Sequence, residues 1–236
     1  MKLSWQQIPS PMVSDILSEY CDGTVIDTEH GCFNNETLYN CIQVIKLKKK
    51  RCFVRLKDIS KSMIGMCLDA GADGLIFSTI ETGEQCEKII EYSRFPPHGK
   101  RGLGLVKQNQ WAMEYTRYSL VKDGHGDYYK VAPPILIPQI ETKEGVDMLE
   151  IIKTFDFDYY LIGPYDLSMS LNIAGQFDNP LYRSYIEKVE KIIPLKKRAI
   201  HIPKNIESVY LEYYYYGIVC VGMDTTALLT WQKEKF

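Results

Sequence analysis

The sequence predicts an α/β protein of the (β/α)8 TIM-barrel class, and three observations carry that prediction. Short apolar runs of strand length alternate eight times with segments of helical period. The length, 236 residues, is one at which such barrels commonly close undivided. No Gly-rich phosphate loop follows the first run, which removes the main support for an open, doubly wound nucleotide-binding sheet. One domain over 1–236 is therefore expected, with no linker and no low-complexity segment.

Taken in order, Lys2 to Gln7 reads as the first strand and Pro11 to Tyr20 as its helix, with Met12, Val13, Ile16 and Leu17 on one face. Thr24-Val25-Ile26 follows and ends in Asp27-Thr28-Glu29-His30, after which Asn34 and Asn35 supply cap chemistry for a helix through Lys48. Cys52-Phe53-Val54-Arg55 is the third strand. Lys61 to Ala70 is its helix, and Gly71 is the stop before the fourth strand, Gly74 to Phe77. After a helix from Gly83 to Arg94 the rhythm breaks. The Pro- and Gly-rich stretch 95–134 reads as a long excursion of the lid or binding-loop kind, holding one helix from Trp111 to Val121. Alternation resumes with Ile135-Leu136-Ile137, a helix from Glu144 to Thr154, and a strand at Tyr159 to Ile162 that ends in a turn from Gly163 to Ser168. It closes with a helix from Tyr182 to Ile193, a strand from Ala199 to Ile202, a helix from Ile206 to Tyr216, a strand from Ile218 to Val221, and a short helix from Thr226.

Composition excludes several functions. Hydrophobic residues make up 45%, charged residues 25%, and the net charge is -2, so nothing attracts a polyanion and nucleic acid is not an expected partner. The basic run Lys46 to Arg51 falls at a helix end, where cations complement the helix dipole. Seven scattered cysteines, none in a C-x-x-C pair, suggest neither a disulfide framework nor a zinc knuckle and point to a reducing cytoplasm. The opening MKLSWQQIPS lacks a signal-peptide core, and no apolar run approaches the ~20 residues of a membrane span.

In a barrel the loops after the strands form the working face. Counting forward, the second strand delivers Asp27 and His30 there, the third Arg55, the fifth Gln139 and Glu141, and the sixth Asp166. Two carboxylates at one sheet edge repel, and a divalent cation is the usual means of keeping both ionised. Spacing alone leaves a second reading open, in which Glu141 caps a helix, Asp166 fixes a turn, Arg55 simply pairs with Asp27 and His30 is a satisfied core histidine. His201, within a strand, reads as packed; His98 and His125 read as exposed. Lys57 and Lys204 sit past strand ends, where burial would not prepare them for Schiff-base chemistry.

The motifs Asp27-x-Glu29-His30, Val54-Arg55, Arg94-x-Pro96-Pro97-x-Gly99-x-Arg101-Gly102-x-Gly104, Gln139-Ile140-Glu141-Thr142, Gly163-Pro164-x-Asp166-Leu167-Ser168 and Val221-Gly222-x-Asp224-Thr225 occur in that order over almost the whole chain. Together they resemble the HpcH/HpaI family of metal-dependent (class II) pyruvate aldolases. The resemblance implies a phosphoenolpyruvate/pyruvate-type barrel that cleaves a 4-hydroxy-2-oxo acid to pyruvate and an aldehyde. It implies Glu141 and Asp166 as ligands of Mg2+, Mn2+ or Co2+, and Arg55, Gln139, Tyr165 and Asp166 around the pyruvyl group. It implies His30, oriented by Asp27, as the proton carrier, with Arg55 stabilising enolate charge. Relatives exchange their last helix and assemble as hexamers, so a homo-oligomer is expected. Two rivals use the same barrel: a condensing enzyme of the citrate-forming kind, and a non-catalytic oxo-acid binder, for which the Asp27/His30 pair has no use. On this reading, replacing His30 or Arg55 by alanine removes turnover and leaves the fold intact.

Overall fold

In the computed structural model, which describes residues 1–112, 133–155, 157–203, 213 and 215–235, eight parallel strands pair in chain order, and the last pairs with the first. The strands are β1 (Lys2–Gln6), β2 (Gly23–Asp27), β3 (Arg51–Leu56), β4 (Gly74–Phe77), β5 (Ile135–Ile140), β6 (Tyr160–Ile162), β7 (Arg198–Ile202) and β8 (Ile218–Val221). The helices are α1 (Pro11–Leu17), α2 (Asn35–Leu47), α3 (Lys61–Asp69), α4 (Gly83–Ser93), α5 (Lys143–Asp147), α6 (Leu149–Ile152), α7 (Pro164–Ser170), α8 (Pro180–Ile192) and α9 (Asp224–Lys235). Each of the eight sequence-predicted strands is present, and the barrel closes as expected.

Helix boundaries follow local chemistry. Asn34, Ser60 and Thr142 each accept a backbone N–H of the first turn through their side-chain oxygen, and Thr82 with Gln85 forms a full capping box. Two features depart from the sequence reading. The single helix expected from Glu144 to Thr154 is broken at Met148, whose φ of -92° and ψ of 3° end α5 and open α6. The turn expected at Gly163 to Ser168 is instead a helix, α7, led by Pro164 in the first-turn position that suits a residue without an N–H. Of the expected helix Trp111 to Val121, only the first residues are described, and Lys107–Ala112 is a 3-10 turn. The rest of that helix, the stretch Asp123 to Tyr129 with His125, and most of the helix Ile206 to Tyr216 with Lys204 lie outside the described residues.

The core has two shells separated by the sheet. Outward-facing residues such as Val54, Leu75, Leu136 and Ile162 pack beneath Leu38, Ile42, Ile64, Ile89, Leu149 and Val189 of the helices. Leu3, Trp5, Val25, Phe53, Ile76, Ile137, Leu161, Ala199, Ile218 and Cys220 form the interior cluster. Side chains alternate across a strand, so the residues two places beyond these point inward as well. At the C-terminal ends those places hold Asp27 above Val25, Arg55 above Phe53, Gln139 above Ile137 and His201 above Ala199. A greasy plug thus carries a polar lid built from one side-chain parity.

One carboxylate fastens the seam. Asp224, nearly fully buried at the start of α9, accepts the backbone N–H groups of Gln7 and Ile8 at 2.8–3.0 Å and that of Thr225 at 2.8 Å, tying the end of β1 to the segment after β8. Asp224→Ala leaves these buried donors unpaired, and urea unfolding is expected to show a loss of about 2–4 kcal/mol.

Candidate active site

The polar lid surrounds a cavity of about 190 Å³ lined by Trp5, Gln7, His30, Arg55, Gln139 and Asp166, among others. Its base is an ion pair. Asp27 (0% exposed) and Arg55 (8% exposed) face each other across neighbouring strands in register. Arg55 Nε donates to Asp27 Oδ1 at 2.9 Å and Nη2 to Oδ2 at 2.6 Å, the two-pronged geometry of guanidinium on carboxylate. Trp5 Nε1 and Gln7 Nε2 each donate to Asp27 Oδ2 at 3.2 Å, and Gln7 in turn accepts from Thr225. Burial pushes the Asp27 carboxyl up, but Arg55, Gln7 and Trp5 outweigh it and hold the group below the usual range.

Asp27 does not touch the imidazole of His30. It accepts the backbone N–H groups of Glu29 and His30 at 3.1 and 3.3 Å, fixing the loop after β2 and leaving the His30 ring 62% exposed at the mouth. The nearest carboxylate oxygen to that ring belongs to Glu29, 3.7 Å from His30 Nε2, and the same oxygen lies 2.8 Å from Arg55 Nη1. Glu29 thus bridges Arg55 and His30. The orientation expected of Asp27 reaches His30 through the main chain.

Glu141 directly follows β5 and is 5% exposed. Its Oε1 accepts both the backbone N–H and the hydroxyl of Thr79 at 2.8 Å, and its Oε2 accepts from Gln139 Nε2. Thr79 makes these bonds with φ of 53°, a left-handed conformation rarely adopted by a β-branched residue. Gly163 closes the space on the other side: a Cβ there would stand 2.6 Å from Glu141 Cβ and 2.8 Å from its Oε2. Burial raises the Glu141 pKa, Thr79 opposes that, and the charges of Asp166 and Glu29 raise it further. Asp166, exposed in the first turn of α7, is therefore within electrostatic reach of Glu141. Tyr165 beside it is also exposed and packs edge-on against Phe177 at 5.1 Å.

Several site residues were not singled out from sequence. Trp5 lies parallel to His201, with ring centroids 4.1 Å apart, and sits 4.9 Å from the Arg55 guanidinium carbon. Burial, aided by the charge of Arg55, lowers the His201 pKa to about 4. The alternation Leu3-x-Trp5-x-Gln7 contained the signal for Trp5 and Gln7, since it puts all three on the inner side. The hold of Thr79 on Glu141 has no local sequence signature.

A ring of charged and polar groups at the C-terminal mouth of a closed barrel is the arrangement of a (β/α)8 enzyme. The chain belongs to the HpcH/HpaI aldolase/citrate lyase family, whose sequence profile matches residues 8–201. It is 30% identical over 209 residues to a 2-keto-3-deoxy-L-rhamnonate aldolase of Escherichia coli, an alignment covering 86% of this chain and 75% of the relative. In solved structures the fold is similar to an HpcH/HpaI aldolase/citrate lyase family protein of Burkholderia cenocepacia, with TM-score 0.84, 23% identity and coverage of 100% of this chain and 92% of that one. The citrate synthase SbnG has TM-score 0.77 and 24% identity, covering 99% and 93%. The activity is that of an aldolase, a carbon–carbon lyase. None of the described helices is long and apolar enough to cross a membrane.

The burial of Arg55 revises one expectation. Arg55→Ala leaves the Asp27 carboxylate uncompensated, so it is expected to cost about 3–5 kcal/mol in chemical denaturation, whereas His30→Ala leaves stability unchanged. His201 adds a pH signature. Its folded pKa of about 4 lies below the ordinary 6.5, so its contribution to stability is complete above pH 6.5 and is lost as pH falls towards 4. Denaturant midpoints measured across that window are expected to fall less in His201→Phe than in the unaltered protein.

Proposed function

We propose that this aldolase cleaves 4-hydroxy-2-oxo acids to pyruvate and an aldehyde with a divalent cation, Mg2+, Mn2+ or Co2+, held by Glu141 and Asp166. The fit of the residues to a cation carries the reading. Glu141 is buried, and its ionisation is opposed by burial and by two neighbouring carboxylates, a conflict that a cation resolves. Gln139, which donates to Glu141 and lines the cavity together with Asp166, has a buried Oε1 with no hydrogen-bond partner among the described residues. Among the described residues no three His, Cys, Asp or Glu side chains are placed to hold one metal ion, so a cation on Glu141 and Asp166 would complete its shell with water and substrate oxygens, as a hard ion does. Such an ion supplies Lewis-acid stabilisation of negative charge developing on the 2-oxo oxygen.

Arg55 adds a fixed cation at that oxygen. Its Nε and Nη2 bond Asp27, its Nη1 pairs with Glu29, and the side chain lines the cavity where the substrate would lie. Gln139 and the first turn of α7, with Tyr165 and Asp166, border the space for the pyruvyl group. His30, at the open end, takes the C4 hydroxyl proton through water as the C3–C4 bond breaks, and returns a proton in the addition direction. Glu29 Oε2 lies 3.7 Å from its Nε2. In this reading Asp27 positions both partners without handling the proton.

The same enolate condensed with an oxo acid would give a citrate-type product, a reading supported by the likeness to citrate synthase SbnG. Exposed Leu228, Leu229 and Trp231 on α9, with Met12, Ile16 and Tyr20 near α1, support a homo-oligomer, of hexameric kind by the family resemblance. The free cysteines suit a cytoplasmic setting.

Pyruvate in heavy water tests the chemistry directly: the methyl proton signal is expected to decay with Mn2+ or Mg2+ and to persist after chelation. His30→Ala is expected to lower kcat for cleavage by ~100- to 10,000-fold with its unfolding curve unchanged. Full activity in that variant, or exchange indifferent to chelator, would count against the assignment.

A further inference from the structure

One polar side chain at the barrel mouth has no part in the proposed cleavage. His201, the last inward residue of β7, lines the cavity with Trp5, Arg55, Gln139 and Asp166. Its plane is set by the Trp5 indole, 9° from parallel at 4.1 Å. Its edge is set by the Gly222 carbonyl oxygen, 3.3 Å from Nε2. A carbonyl oxygen only accepts, so Nε2 carries the hydrogen, and the neutral ring keeps its lone pair on Nδ1. Burial and the Arg55 charge keep the ring neutral against the opposing pull of Gly222 and Asp27. Nδ1 has no hydrogen-bond partner among the described residues.

A bare ring nitrogen held in that way repels the lone pairs of carboxylate and carbonyl oxygens and attracts a hydroxyl hydrogen. We propose that His201 Nδ1 accepts a hydrogen bond from a hydroxyl on the aldehyde half of the substrate, so that the enzyme selects hydroxyaldehydes over their deoxy counterparts. This rests on the aldol chemistry proposed above and deepens it by naming the class of aldehyde. The stack on Trp5 makes the acceptor rigid. A site built to bond a hydroxyl rejects the analogue that lacks it more strongly than an apolar pocket rejects a change of size.

The test pairs glycolaldehyde with acetaldehyde, each added to pyruvate with Mn2+ present, and compares the unaltered enzyme with His201→Phe, which retains an aromatic ring against Trp5 and lacks both nitrogens. Dividing kcat/KM for one aldehyde by that for the other cancels any general loss of activity. The quotient is expected to fall about tenfold in the variant, the size of one lost hydrogen bond. An equal loss with both aldehydes would show that His201 only packs, and would overturn the proposal. A second readout does not depend on turnover. In protein carrying 15N-histidine, the bare-nitrogen signal missing from His201→Phe is expected to shift on addition of glycolaldehyde and to stay put with acetaldehyde. Turnover with an unmoved signal refutes the acceptor, whereas a shifted signal without turnover or pyruvate exchange refutes the aldolase chemistry and sustains the acceptor.

Discussion

The loop after β2 and the one buried cation lining the cavity among the described residues both depend on the pairing of Asp27 with Arg55. A carboxylate sealed from water is tolerable only with a cation against it and donors at its remaining lone pairs. Here both are present: the guanidinium engages both oxygens, Trp5 and Gln7 meet Oδ2, and the N–H groups of Glu29 and His30 meet Oδ1. Because the pair is anchored in two hydrogen-bonded strands, it sets the height of the loop after β2 and the direction of the arginine at once. Glu29 pairs with Arg55 at 2.8 Å and has the same oxygen 3.7 Å from His30 Nε2, which sets one carboxylate between the buried pair and the exposed ring at the rim.

The second half of the site follows a different logic. Glu141 is gripped by neutral donors, Thr79 on one oxygen and Gln139 on the other, and its nearest charged neighbours are acids. Where Asp27 has its counter-charge built in, Glu141 does not, and that asymmetry separates a structural carboxylate from one prepared for a ligand. The left-handed backbone of Thr79 and the missing side chain at Gly163 are local concessions that keep Glu141 in place.

Much of this was legible in the chain. Apolar runs such as Ile135 to Ile137 and Ile218 to Val221 announced the strands, because a parallel barrel buries both faces of each. The strand ends, in turn, marked Asp27, Arg55, Gln139 and Glu141. What stayed hidden depends on three-dimensional detail. Spacing places Asp27 near His30 but cannot tell a backbone contact from a ring contact, and the structure has the former. His201 looked like packing because it lies inside a strand; its parity and its place at the last inward position put it on the cavity. The helix after Gly163 was signalled by Pro164 and read as a turn, since seven residues carry too little periodicity to stand out.

Trp5 gives the molecule an intrinsic optical gauge. Its indole is buried against His201 and Arg55 and donates to Asp27, while Trp111 and Trp231 are both exposed. Within a single chain, blue-shifted emission therefore comes from the indole at the base of the pocket, and any molecule that settles over it, or draws the guanidinium towards itself, changes the field the fluorophore feels. Occupancy of the mouth can be followed by light, without a label.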